Sequence, residues 1–238
     1  MALLDAEVRR VDEDRWLASR FAPREAREAL VALYAFNYEV ARTAEVVSEP
    51  GLGDIRLAWW RELIEELEQG HAPRAHPAAE ALVGPIRSGA LDGGALRALI
   101  EARRGDLDGA APASAEALEF YVDATAGAVM TLALRACAAE APAGCVRDAG
   151  RAWGFAGLAR RAAAGASVQV GGADLEGLAR ASLARLREAG RCPAAAFPAL
   201  GYVCLVGPYL DAVCRSRAAP GLFSRQLRLV AAAATGRL

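Results

Sequence analysis

The sequence predicts a single all-α domain over residues 1–238, and three observations lead to that prediction. Apolar side chains recur every three or four positions between Leu30 and Val47, which is the spacing of one buried helix face. Gly, Pro, Ala and Asp separate the apolar stretches, as they do in short connections between helices. Hydrophobic residues make up 54% of the chain, enough for one large core, and no repeat or low-complexity linker divides it.

Each helix is predicted from its capping residues and its periodicity. Acidic residues open a first helix at 12–20, because negative charge stabilises a helix N-terminus. Pro23 suits the first turn of a long helix over 23–47, and Pro50 with Gly51 should end it. The next helix opens at Asp54 and ends at Gly70. The remaining predicted helices cover 77–87, 94–107, 114–138, 145–164, 174–189, 194–215 and 222–234, whereas 167–170 alternates like a strand too short to found a sheet.

The composition narrows the class of partner and the kind of site. All 28 basic residues are Arg, which reflects either a GC-rich genome or selection for binding phosphate oxygens. The 29 acidic residues are interleaved with them, so we expect no nucleic-acid partner. Five cysteines without a CxxC pair indicate reduced, buried thiols. Two histidines, His71 and His76, offer little material for a zinc site or a His-based triad.

The apolar stretches do not predict a membrane-spanning protein. Residues 1–5 lack the basic region and long apolar core of a secretory signal. The most apolar stretch, 194–213, is interrupted by two prolines, two glycines and an aspartate, so we predict a buried helix pair or a kinked helix there. We expect a cytoplasmic protein, and peripheral contact with the inner membrane face stays open as an alternative.

Motifs in the first two thirds of the chain carry a resemblance to a known family. They are ALYAF at 32–36, DIRL at 54–57, WWR at 59–61, LIEAR at 99–103 and Tyr121 followed by AGAV at 126–129. In order and spacing they resemble the squalene/phytoene synthase family, and the similarity weakens after about residue 158. The resemblance implies a helical bundle of the isoprenoid synthase type around a central cavity. Active members condense two isoprenoid diphosphates with Mg²⁺ held by two Asp-rich motifs.

The first of these metal motifs is altered in this chain. The family pattern DDxxD should follow Phe36 by five residues, where the sequence reads ARTAE. Ala41 and Arg42 therefore stand at the two leading aspartate positions, and only Glu45 could still bind a metal.

The second metal motif is altered as well. Counting without gaps, the pattern NxxRDxxxD places Arg161 at its Asn and Gly165 and Gln169 at its two aspartates. No acidic residue lies between Asp148 and Asp174, so no shift of register restores the motif. The resemblance thus implies no cofactor and no catalytic residue, and Mg²⁺ is expected only if the alternative of an active prenyltransferase holds.

Several residues are candidates for a vestigial cavity, and each has a plainer structural reading. Glu45 is either a retained cavity acid or a solvated side chain, and Tyr121 lies either near the cavity or in ordinary helix packing. Arg160 and Arg161 either bind an anion or lie on a solvated face. Asp106 is best read as an ion-pair partner for Arg103 or Arg104. The full candidate set is Tyr34, Ala41, Arg42, Glu45, Tyr121, Arg161, Gly165 and Gln169.

The WWR triplet at 59–61 is a candidate surface for a partner or a membrane. Adjacent helix residues point about 100° apart, so Trp59 and Trp60 cannot enter one core pocket together. Either one indole is an exposed anchor beside Arg61, or a wide helix stripe buries both.

The resemblance points further, to a degenerate branch linked with the assembly of respiratory complex I. The pattern LYAFNYEVAR, the acid-poor first motif and RLAWWR resemble that branch. We therefore expect a bacterial pseudoenzyme that acts as a scaffold or assembly factor, with a protein partner in complex assembly and a prenyl or lipid chain as a candidate ligand. An active prenyltransferase with an altered metal site and an isoprenoid or lipid carrier remain as alternatives.

Overall fold

The computed structural model describes residues 2–47, 49–109, 112–166 and 172–238, and it contains no strand in these ranges. This confirms the predicted all-α class. The strand-like stretch 167–170 lies outside the described residues. The helices are α1 (Ala2–Val11), α2 (Glu13–Ser19), α3 (Arg24–Ala41), α4 (Thr43–Val46), α5 (Pro50–Glu68), α6 (Pro77–Arg87), α7 (Gly93–Arg104), α8 (Ala115–Val122), α9 (Ala128–Ala136), α10 (Ala143–Ala163), α11 (Leu175–Glu188), α12 (Phe197–Leu200), α13 (Val206–Cys214) and α14 (Leu222–Thr235).

Helix α3 lies at the centre of the core. Every residue from Ala29 to Asn37 is buried, so the helix is enclosed on all sides rather than along one stripe. It packs against α1, α6 and α9, while α10 packs mainly against α11 and α13. One cluster of buried apolar side chains includes residues from Leu4 to Leu238.

The long helix predicted over 23–47 is interrupted. Pro23 is extended and precedes the first helical residue, and α3 ends at Ala41. Arg42 then forms a turn with ψ of −4°, and α4 follows. The Thr43 hydroxyl donates to the Glu39 carbonyl at 3.2 Å, a local side-chain bond of the kind that bends helices. The break falls at the position of the altered first metal motif.

The predicted stop at Pro50 is wrong, because α5 begins there. The backbone N–H groups in the first turn of a helix have no carbonyl partner within the helix, so a proline, which lacks this N–H, is compatible with the helix start. By contrast, the structure agrees with the prediction of a buried helix pair or a kinked helix over 194–213. A 3₁₀ turn at Ala194–Ala196 precedes α12, and a second 3₁₀ turn at Gly201–Leu205 joins α12 to α13.

The helix predicted over 114–138 runs from Ala115 to Ala136 and contains an unpredicted π-turn at Asp123–Gly127, which joins α8 to α9. At this turn α10 approaches closely. A Cβ added to Gly150 would lie 2.7 Å from the Gly127 Cα, so only glycine fits. The Thr125 hydroxyl donates to the Tyr121 carbonyl at 2.7 Å. The turn therefore helps to position Tyr121.

Two stretches are long and apolar enough to cross a bilayer by length and composition alone. They are Ala115–Ala136 and Ala194–Cys214, and the fold buries 50% and 61% of their most apolar windows. Buried core helices of this composition pass the same test, so the criterion alone does not assign a membrane span.

Candidate functional site

A cavity of about 1000 Å³ lies between α2, α10 and α13. The π-turn, Arg103 of α7 and the loop between α13 and α14 complete its lining. Val122, Ala126 and Leu158 contribute apolar wall, while arginines and acids surround them. The cavity therefore combines an apolar wall with a charged wall, and a small-molecule site commonly has both kinds of lining.

A buried charge cluster closes the side of the cavity formed by α2. The Arg225 guanidinium donates to Asp14 at 2.7 Å and also pairs with Glu13. The Tyr209 hydroxyl donates to the other Asp14 oxygen at 2.6 Å. Burial and then the Asp14 charge raise the pKa of Tyr209 above its ordinary value. The cluster ties α2 to α13 and α14 with charge-assisted hydrogen bonds.

Arg15 lies beside this cluster inside an aromatic box. Its guanidinium carbon is 5.3–5.8 Å from the ring centroids of Tyr34, Trp153 and Tyr202. One amino group donates to Asp12 at 2.8 Å. Burial opposes the charge most strongly, but Asp12 and the Tyr202 hydroxyl together outweigh it and hold the pKa of Arg15 above its ordinary value. Arg15 is therefore a permanent positive charge in the cavity wall.

Tyr121 lies on the opposite wall and is held neutral. The Arg103 guanidinium donates to its hydroxyl oxygen at 2.7 Å and pairs with Asp106 at 3.3 Å. The predicted ion pair of Asp106 with Arg103 is thus confirmed. Burial raises the pKa of Tyr121 to about 12, although Arg103 opposes the shift. The phenol is protonated at physiological pH and supplies no general base.

An ion pair joins the positions of the two altered metal motifs. An amino group of Arg161 lies 2.8 Å from a Glu45 carboxylate oxygen, and both side chains are about half exposed. Arg42 lies 3.6 Å from Glu39, which also accepts a hydrogen bond from Arg56 at 2.5 Å. The carboxylates near the first motif are therefore engaged by guanidinium groups.

The residues present do not fit a pair of magnesium-binding clusters. Within the described ranges, no group of three His, Cys, Asp or Glu side chains is arranged to hold a metal ion. The three acids that line the cavity, Asp12, Glu13 and Asp14, all have arginine partners. Mg²⁺ needs carboxylate oxygens free for octahedral coordination, and each of these three carboxylates is already paired with a guanidinium.

The structure brings together only part of the predicted vestigial cavity. Tyr121 and Arg161 line the cavity. Glu45 lies outside the lining and contacts it through Arg161, and Ala41 and Arg42 are not in the lining. The chain turns at Arg42 instead of continuing as one straight helix, and the assignment of these three positions to a vestigial cavity stays a prediction. Gln169 lies outside the described residues.

Two further candidates do not reach the cavity. Tyr34 is fully buried in the core behind Arg15, and its hydroxyl has no hydrogen-bond partner among the described groups. Gly165 is exposed just after α10, with a φ of +81° that favours glycine. Its backbone ends the helix and does not contribute to the site.

The rings of the tryptophan pair meet edge to face, with Trp60 buried and Trp59 half-buried. Trp60 is only 1% exposed and packs edge-on against Phe36, so its prediction as a surface residue is wrong. Trp59 is half-buried, 4.9 Å from the Trp60 ring and 5.3 Å from the Arg74 guanidinium. The alternative of a wide buried stripe is the correct one. Arg61 alone is exposed, 3.9 Å from Glu101.

Sequence reasoning missed the residues that form the charged wall. Asp14 and Arg15 were read only as part of a helix start, and Tyr209 and Arg225 were not singled out. A weak signal exists in the acid-rich DEDR at 12–15 and the acid-free segment 212–238, which are complementary in charge. Their pairing depends on tertiary packing and has no local pattern.

Comparison with known proteins gives relatives of one kind. The chain is 31% identical over 127 residues to "NADH dehydrogenase (ubiquinone) complex I, assembly factor 6" of Mus musculus and 29% identical to that of Homo sapiens. The Drosophila melanogaster homolog is 30% identical over 132 residues. These matches span 53% of this chain but only 38–39% of the relatives' length.

The fold and the family are both established by further matches. A crystal structure of a dehydrosqualene synthase in complex with ligand superposes with a TM-score of 0.68 at 13% identity, covering 98% of this chain and 94% of that one. This confirms the predicted bundle of the isoprenoid synthase type. The family model for squalene/phytoene synthase matches residues 8–166. Because that match covers about two thirds of the sequence, the chain belongs to the squalene/phytoene synthase family.

Proposed function

We propose that the chain is a non-catalytic member of its family that acts as a scaffold or assembly factor for a respiratory complex of the complex I type. The observation that carries the proposal is the ion pair between Glu45 and Arg161. A guanidinium holds the one acid left in the first motif, so a divalent cation would have to compete with Arg161 for that carboxylate. The names of the assembly-factor relatives supply the positive half of the proposal.

The charges around the cavity argue in the same direction. Release of a diphosphate requires neutralisation of its charge, which the family achieves with metal ions. Here the lining acids are paired with arginines, and Tyr121 is protonated. The lining therefore favours an anion over a cation cluster.

The retained cavity supports binding of a prenyl or lipid chain without metal. The Arg160 guanidinium carbon lies 3.7 Å from the Tyr209 ring centroid, and no carboxylate lies within 4.0 Å of it among the described residues. Arg217 is exposed at the rim. A guanidinium stacked on an aromatic ring keeps its donors available for phosphate or carboxylate oxygens. The apolar wall would accommodate the chain, and the arginines its anionic head.

A turnover assay tests the non-catalytic half of the proposal. The purified chain is incubated with farnesyl or geranylgeranyl diphosphate, with and without Mg²⁺, and products are extracted and separated. No condensation product and no released pyrophosphate are expected. Mg²⁺-dependent turnover would overturn the proposal in favour of a prenyltransferase with an altered metal site.

A deletion experiment tests the assembly half. Loss of the gene in its source organism should reduce membrane NADH dehydrogenase activity and the amount of assembled complex on native gels, and a plasmid copy should restore both. Unchanged complex I would contradict an assembly role. If complex I is unchanged and lipid co-purifies with the chain, the carrier alternative is the better one. Arg160→Ala then tests whether Arg160 holds the anionic head group of the lipid, and the exposed Arg24→Ala is its control.

A further inference from the structure

Helix α14 has two apolar faces, and the fold covers only one of them. Leu229 and Ala232 are buried against the body of the protein. On the opposite side, Phe223, Leu227 and Val230 are 75%, 59% and 60% exposed. Their spacing of four and then three residues aligns them in one outward stripe. An exposed apolar stripe of this kind marks a contact surface.

The segment that contains this stripe has an unusual charge. Residues 212–238 include five arginines and no acidic residue. Arg225 points inward to Asp14 and Glu13. The other four, Arg215, Arg217, Arg228 and Arg237, are exposed, and none has a carboxylate within 4.0 Å in the part of the chain that the structure describes. The helix and the segments on either side of it thus carry four exposed arginines that form no ion pair within the described residues.

We propose that α14 and the loop before it form a docking surface for an anionic lipid bilayer. In this arrangement α14 lies in the plane of the interface. Phe223, Leu227 and Val230 enter the boundary between head groups and acyl chains, and the arginines pair with lipid phosphates. An amphipathic helix with aromatic and aliphatic residues on one face and arginines beside them is the form that binds such surfaces.

Charge complementarity selects the bilayer over the other occupants of an apolar face. In a symmetric dimer through α14, the exposed arginines of the two copies would approach one another and repel. A nucleic acid would pair with the arginines but offers no apolar surface for the stripe. An anionic bilayer satisfies both features at once.

The position of the cavity agrees with this orientation. Ser216, Arg217 and Ala219 belong to the loop that precedes α14, and all three line the cavity. Docking of α14 would therefore bring one rim of the cavity to the membrane surface. The docking proposal does not depend on the proposed function, because it rests on the surface of α14 alone.

Vesicle co-sedimentation tests the proposal directly. The whole chain is mixed with vesicles of phosphatidylcholine alone or of phosphatidylcholine with phosphatidylglycerol, and the bound fraction is measured against lipid concentration. Binding is expected only to the phosphatidylglycerol vesicles and should weaken as salt rises. Phe223→Ser should reduce the apparent affinity about tenfold or more, because a large apolar side chain no longer enters the interface.

Phe120→Ser is the matched control. Phe120 is also 75% exposed, but its neighbours Glu116, Glu119 and Asp123 are acidic, so it should not contact an anionic surface. The control variant should bind vesicles like the unmodified chain, and Arg228→Gln should bind more weakly than Arg24→Gln. The proposal is overturned if the chain does not bind anionic vesicles at low salt, or if Phe223→Ser binds them as well as the unmodified chain. It is also overturned if the chain forms a dimer that Phe223→Ser dissociates and does not bind vesicles.

Discussion

Substitution of Asp14 by alanine is the sharpest test of the charged wall of the cavity. Asp14 is buried and accepts from both the Tyr209 hydroxyl and the Arg225 guanidinium. Its removal leaves the phenol without its acceptor and Arg225 with only Glu13. The substitution therefore weakens the polar link between α2 and the C-terminal helices without touching the apolar core.

The expected loss follows from the burial of these partners. Removal of one member of a buried ion pair costs about 3–5 kcal/mol, because the remaining charge is uncompensated. Since Glu13 still neutralises Arg225, we expect the lower end, about 3 kcal/mol. For a chain of this size that corresponds to a fall in melting temperature of roughly 6–12 °C. Asp14→Asn keeps an acceptor oxygen and should cost less, about 1–2 kcal/mol.

Urea titration followed by circular dichroism measures the free energy of unfolding of each variant. Glu28→Ala serves as the control, because its ion pair with Arg24 is exposed on α3. Such a surface pair contributes less than about 1 kcal/mol. If Asp14→Ala costs no more than Glu28→Ala, the cluster does not stabilise the fold and the reasoning from burial is refuted.

Three further predictions concern α10, the tyrosines and the cysteines. Gly157→Ala should stabilise the protein to urea by about 0.5–1 kcal/mol, since its added carbon has no atom within 4 Å and Ala favours helix over Gly. Gly150→Ala should destabilise the protein by about 1–3 kcal/mol, because the added carbon would lie 2.7 Å from the backbone of Gly127. Equal changes in the free energy of unfolding for the two variants would contradict this close contact of α10 with the π-turn. Burial raises the pKa of Tyr121 from 10.0 to about 12. The stability that its neutral form contributes is complete below about pH 10 and is lost as the pH rises through about 12. In Tyr121→Phe the urea midpoint should therefore fall less steeply at alkaline pH. Near pH 8, iodoacetamide should alkylate the exposed Cys214 before Cys204, because burial raises the pKa of the Cys204 thiol to about 12. Peptide mass mapping measures the two alkylation rates, and equal rates would contradict this order.

The sequence predicted the features that depend on near neighbours. The Arg103–Asp106 ion pair spans three residues of one helix end and was found in advance. The kinked 194–213 segment followed from its prolines and glycines. The break at Arg42 was missed, because the apolar stripe continues across it and carries no local stop signal. The π-turn was also missed, because it lies against Gly150 of another helix and the local sequence gives no sign of that contact.

The candidate site was predictable only where its residues belong to motifs. Tyr121 and Arg161 were identified because the resemblance assigns them positions, and the structure places both in the cavity lining. Asp14 and Arg225 belong to no motif, and no spacing along the chain relates them. Trp60 remained a surface candidate beside the alternative of a buried stripe, because its sequence context gives no information on the helices that cover it.

By itself, the sequence determined the all-α class, the order of the helices and the loss of the Asp-rich motifs, because periodicity, caps and residue identity are local properties. Only the tertiary structure decided which charges far apart in the chain meet. Arg225 and Asp14 are 211 residues apart in the chain and 2.7 Å apart in the fold. Glu45 and Arg161 likewise come together only through the packing of separate helices. The energy of such pairs depends on burial and distance, and the packing of the whole bundle sets both.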